Sequence, residues 1–106
     1  MPLHGKKLGI LISAPPQAHN FRHAVLTAAA ALKQGAQVYV YCIDEAVQGI
    51  NDHSLQSLCT EEGLILYACA YGAQRRNLPL DGPATFAGLT VVNDLMSATD
   101  RFLSFN

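Results

Sequence analysis

Three short apolar runs, Leu8–Ser13, Gln37–Cys42 and Leu64–Ala68, recur along the chain, and each is followed by a segment whose apolar residues repeat at helical spacing. Leu8–Ser13 lacks polar alternation, so it reads as a strand buried on both faces, ending at the turn Pro15-Pro16. Beyond that turn Asn20 reads as the cap of a helix bearing Phe21, Val25, Ala28, Ala29 and Leu32, stopped by Gly35. Gln37–Cys42, rich in Val and Tyr, leads through a polar loop, in which Asn51 and Asp52 read as turn and cap residues, to a helix over about residues 53–62 that Gly63 stops. Leu64–Ala68 passes directly into a short helix over about residues 69–77, with Asn77 tolerating a left-handed cap. After turns at Pro79, Gly82 and Pro83 come a weak strand at Thr85–Ala87, a helix over about residues 89–98, and a last strand Arg101–Phe105. Strands alternating with helices over short connections demand parallel pairing with helices on both faces. The expected fold is a three-layer α/β/α sandwich of flavodoxin-like type, with a five-stranded, mostly parallel sheet in one domain over residues 1–106.

Composition narrows the function classes. Charged residues make up 14% of the 106 residues, against about 25% in an ordinary soluble domain. So little charge implies that part of the surface is covered in a homo-oligomer. The net charge of −1 and the absence of any basic stripe exclude a nucleic-acid or membrane-surface binder. No run approaches the roughly 18 apolar residues of a membrane span. The three cysteines, Cys42, Cys59 and Cys69, lack the paired spacing of a structural zinc site and are odd in number, so a cytoplasmic protein with reduced thiols is expected. No glycine-rich nucleotide fingerprint occurs, and no cofactor or metal is expected.

In open α/β sheets ligands bind beyond the carboxyl ends of the strands, which directs attention to residues 13–23, 42–49 and 69–77. Cys69 stands at the end of the third strand and the start of a helix, where free N–H groups and the helix dipole favour a thiolate. The plain alternative is a small core residue. Cys59 shares a helix face with Leu55 and Leu58 and reads as core, and Cys42 shares a strand face with Val38 and Val40 but lies at the functional edge. His19 and His23 flank the first helix start and are candidate proton donors or thiolate partners. Arg75 and Arg76 are candidate supports for the sulfur, and Pro15, Pro16, Cys42 and Asp44 are candidate loop contacts. Cys69 to Arg75 also spells Cys-x5-Arg, the spacing of an oxyanion-binding loop in cysteine phosphatases and rhodaneses, although Gly72 is its one glycine and Arg76 stands where phosphatases carry Ser or Thr.

These residues together resemble a family. The opening Leu8-Gly9-Ile10-Leu11-Ile12-Ser13-Ala14-Pro15-Pro16, the Ala-rich helix running to Gly35-Ala36-Gln37-Val38, the loop Asp44-Glu45-Ala46-Val47, the segment Leu66-Tyr67-Ala68-Cys69-Ala70, Arg76-Asn77-Leu78 and the closing Asp100-Arg101-Phe102-Leu103-Ser104-Phe105 look like the DsrE/DsrF-like sulfur-relay family. The resemblance implies a small α/β subunit that assembles into trimers or hexamers and carries persulfide sulfur on the position of Cys69, between a protein donor and a protein acceptor. Two departures stand out: the family often has Asp-Gly-Val at Asp44-Glu45-Ala46-Val47 and Arg-Gly-Leu at Arg76-Asn77-Leu78. Three readings follow: a sulfur carrier using Cys69, a non-catalytic oligomeric module that binds a small ligand or protein in the cleft near Pro15–His23, and a Cys-x5-Arg phosphatase-like or rhodanese-like enzyme.

Overall fold

The computed structural model describes residues 2–106. Five strands, β1 (Lys7–Ile12), β2 (Gln37–Cys42), β3 (Leu64–Cys69), β4 (Thr85–Ala87) and β5 (Arg101–Phe105), form one sheet in the order β4-β3-β2-β1-β5. Every pairing is parallel. Four helices connect them, α1 (His19–Lys33), α2 (His53–Cys59), α3 (Ala70–Arg75) and α4 (Thr90–Ala98), together with a 3₁₀ segment at Asp44–Gly49. The chain steps outward from β1 to β4 and then returns across the sheet to β5. With right-handed crossovers, that reversal sends α4 to the face opposite α1.

In-register residues of the three central strands supply one buried face: Ile10 and Ile12, Val38, Val40 and Cys42, Leu64, Leu66 and Ala68. Against it packs the stripe Phe21, Ala24, Val25, Ala28 and Ala31 of α1, whose small side chains let the helix approach the sheet closely. The other face carries Gly9, Tyr39, Tyr41 and Ile65. Here α4 touches β1 and β5, and Ile65 stays 44% exposed. Gly9 makes room for Phe102, its register partner on β5, because a Cβ there would lie 2.5 Å from that ring.

The elements match the expected order, with shifts at their ends. Asn20 is no cap: α1 begins one residue earlier with Ala18 as N-cap and no side-chain cap bond. The turn closes instead through the Ala18 N–H to the Pro15 carbonyl at 2.9 Å, and Asn20 Nδ2 donates to the Asn106 carbonyl at 2.7 Å. The second helix stops at Cys59, short of residue 62. The third helix is likewise shorter than expected, and Asn77 takes the left-handed conformation foreseen for it, at φ 55°.

Candidate functional site

Cys69 is at once the last residue of β3 and the N-cap of α3. No loop separates the two elements, so the sulfur sits where the helix's first N–H groups lack partners. One of them, the Gly72 N–H, donates to Cys69 Sγ at 3.4 Å. Cys69 is 6% exposed and lines, with Gly72, a cavity of about 460 Å³. Asp44, Glu45 and Gln48 form one wall, and Tyr71, Arg75 and Arg76 the other.

The first wall is the 3₁₀ segment, entered through Asp44 at φ 54° and anchored by buried Ala46, Val47 and Ile50. Its far end, Gly49, lies so close to Phe21 that a Cβ would come within 2.4 Å of the ring, which couples the segment to α1. The second wall is α3 and its cap. Arg76 joins the walls: Nε donates to Glu45 Oε1 at 3.0 Å, Nη2 reaches the same oxygen, and Nη1 donates to the Gly72 carbonyl at 3.1 Å. Both partners remain partly exposed, so this ion pair contributes at most about 1 kcal/mol; its role is to hold the walls in place. Arg75 lies over the Tyr71 ring, 5.8 Å from its centroid, and donates to the Tyr71 hydroxyl at 3.3 Å. Among the described residues its guanidinium has no carboxylate partner.

Tyr41 of β2, on the same face of the sheet as Tyr67, is fully buried. Its hydroxyl donates to the Ala87 carbonyl at 2.9 Å, and Ala87 is the register partner of Cys69. Burial, together with the charge and side-chain hydrogen bond of neighbouring Cys69, raises Tyr41 far above the ordinary phenol range.

The structure thus gathers Cys69, Asp44, Arg75 and Arg76 and separates the other candidates from them. His19 and His23 are exposed on α1 and line no part of the cavity. They share its sheet edge, but β2 intervenes between β1, which leads into their helix, and β3, and strands lie about 4.8 Å apart. Pro15 and Pro16 also lie outside, with Pro16 packing toward Gly49. Cys42 is no loop contact: it is wholly buried on the opposite face, and burial, with the nearby Cys59 thiol, pushes it up to about 12. Cys59 is half-buried and likewise raised by burial. The Cys-x5-Arg stretch is a helix and not an open loop, and Arg75 turns to Tyr71. Among the described residues no group of three His, Cys, Asp or Glu gathers as metal ligands. Gln48, Tyr71 and Tyr41 belong to no motif. Tyr41 was findable only from register, since it pairs with Tyr67, two residues before Cys69 on the same face.

A parallel α/β sheet that presents a thiol at a strand–helix junction, beside a charged cavity, defines a class of small cysteine-bearing α/β proteins. This chain belongs to the DsrE/DsrF-like family, which matches residues 6–105 and whose members generally act in sulfur relay. Among solved structures it is similar to the crystal structure of the ychN protein from E. coli, with a TM-score of 0.77 over 94% of this chain and 98% of that one. Sequence identity is 16%, so the likeness is one of fold. No curated protein matches the chain.

Proposed function

We propose that this protein is a sulfur carrier in which Cys69 accepts persulfide sulfur from a donor protein and passes it to a partner protein's thiol. The observation that carries the reading is the placement of Cys69 at the β3–α3 junction, its sulfur bonded by the Gly72 N–H at 3.4 Å and lining the charged cavity. In the loading step the Cys69 thiolate attacks the outer sulfur of a donor R–S–SH. The donor S–S bond breaks, Cys69–S–SH forms and RS⁻ departs. In delivery the acceptor thiolate attacks the outer sulfur of Cys69–S–SH, and Cys69 leaves as a thiolate that the Gly72 N–H stabilises. Both steps are redox-neutral and need no cofactor. Asp44, Arg75 and the Glu45–Arg76 pair border the path by which a partner's sulfur would arrive.

The same reading makes the protein cytoplasmic, where its thiols stay reduced, and a homotrimer or homohexamer. Low charge and exposed Leu26, Tyr71, Leu89 and Met96 support assembly. No described helix is long and apolar enough to cross a membrane. Intact-mass measurement after incubating the reduced protein with a persulfide donor tests the function. The parent is expected to gain one sulfur atom, removable by reductant, and Cys69→Ser to gain none; equal gain by both proteins overturns the role of Cys69. The 6% exposure of Cys69 favours a second reading, a non-catalytic module binding a ligand or protein in this cavity. A parent that gains no sulfur and whose Cys69 resists alkylation would establish it.

A further inference from the structure

We infer that the cavity beside Cys69 binds a free amino-acid zwitterion, Asp44 taking the ammonium group and Arg75 the carboxylate, so that Cys69 also loads from a small persulfide of the cysteine type. The inference rests on the reading that Cys69 accepts sulfur, and it adds a donor to the proteins of that reading. Four charged side chains line the cavity, Asp44 and Glu45 on the 3₁₀ wall and Arg75 and Arg76 on the α3 wall. Glu45 and Arg76 meet across it and neutralise each other. Asp44 and Arg75 do not meet, and among the described residues neither has a partner of opposite charge. One acid and one base thus face the cavity from opposite walls. A ligand of single charge is attracted by one and repelled by the other, whereas a ligand that carries both signs satisfies both.

Local structure holds both groups in place. Arg75 lies over the Tyr71 ring and gives one N–H to its hydroxyl at 3.3 Å, which leaves the rest of its five-donor fork for a carboxylate. Asp44 enters the 3₁₀ segment at φ 54°, and the buried Ala46 and Val47 behind it fix where that turn lies. The volume of about 460 Å³ falls within the roughly 300–1,000 Å³ of small-molecule sites. In cysteine persulfide the ammonium and carboxylate share one carbon, and a CH₂ carries the S–SH arm away from both. With the charges held at the walls, that arm is free to point toward Cys69. The Cys69 thiolate attacks the outer sulfur, the donor S–S bond breaks, Cys69–S–SH forms, and cysteine departs as its thiolate. The exchange is redox-neutral.

The test is the initial rate at which the Cys69 peptide gains sulfur, read by mass spectrometry, in the parent, Asp44→Asn and Arg75→Gln. Three matched donors are used: the persulfides of cysteine, of 3-mercaptopropionate, which lacks the ammonium group, and of cysteamine, which lacks the carboxylate. Both positions are exposed, and asparagine tolerates the left-handed backbone at position 44. Proteins are compared through ratios between donors, so that differences in the donors' own reactivity cancel. Asp44→Asn is expected to lower the cysteine to 3-mercaptopropionate ratio about fivefold, and Arg75→Gln the cysteine to cysteamine ratio about fivefold, the scale of one partly exposed ion pair. Sulfur arriving on Cys69 with ratios that neither variant moves defeats this inference alone. S-methylcysteine keeps both charges and has no sulfur to give, and its binding is followed by NMR. A parent that binds it, more weakly in each variant, yet gains no sulfur from any donor supports the zwitterion site and defeats the carrier reading together with the loading step. A parent that neither binds it nor gains sulfur overturns both.

Discussion

Cys42 and Cys69 end neighbouring strands of one sheet, yet they live in different solvents. Cys42 faces the α1 layer and has no exposure, whereas Cys69 faces the cavity and has the Gly72 N–H as partner. Parity along the strand makes that difference, because successive side chains point to opposite faces. A testable consequence lies at alkaline pH. The Cys42 thiol is raised from its ordinary 9.0 to about 12, so the folded protein holds its proton more tightly than the unfolded chain does. Its share of stability is complete below pH 9.0 and is lost as the pH rises toward about 12. Tyr41, raised in the same direction, deepens the loss at the upper end. Thermal midpoints measured through that window are expected to fall in the parent and to fall less in Cys42→Ala. Equal slopes would contradict the assignment.

Among the elements, α2 shows a local signal read correctly and α1 one that tertiary structure replaced. Asp52, foreseen as a cap, accepts from the Ser54 and Leu55 N–H groups and from the Ser54 hydroxyl. Burial alone would raise its carboxyl, but these bonds, with Arg22 nearby, hold it below the ordinary 3.8. Asp52→Ala is expected to cost about 1 kcal/mol in urea unfolding at neutral pH. That deficit should shrink as the pH falls through the carboxylate range, because a depressed carboxyl stabilises only while ionised. A deficit unchanged down to acid pH would show that packing, not the cap, was lost. Asn20 carries the same chemical credentials as Asp52. It forgoes the cap because the Pro15-Pro16 turn starts the helix at His19 and the end of β5 offers the Asn106 carbonyl.

At the scale of the molecule, the return from β4 to β5 places α4 over β1 and β5 and leaves the opposite side of that face thinly covered. Ile65 at 44% exposure is the consequence, and α4 and its cap turn Leu89, at 61%, and Met96, at 56%, outward. A chain with 14% charged residues has few polar groups to solvate such a face, and contact between copies would remove it from water. Sedimentation equilibrium is expected to return three or six times the subunit mass of 11.4 kDa. A monomer at micromolar concentration would defeat the assembly reading while leaving the persulfide test intact.

Local rules were enough for the βα rhythm, the parallel sheet, the Asp52 and Asn77 caps and the place of Cys69 at a strand–helix junction, because each depends on residues close together in the chain. The partners of that cysteine depend on residues far apart. Glu45 meets Arg76 and Tyr41 reaches Ala87 only once β2, β3 and β4 lie side by side in one register. The same register separates His19 and His23 from the cavity by the width of β2, a distance that linear spacing does not encode. Strand periodicity assigns a side chain to a face; the order and register of strands decide which other side chains it meets there.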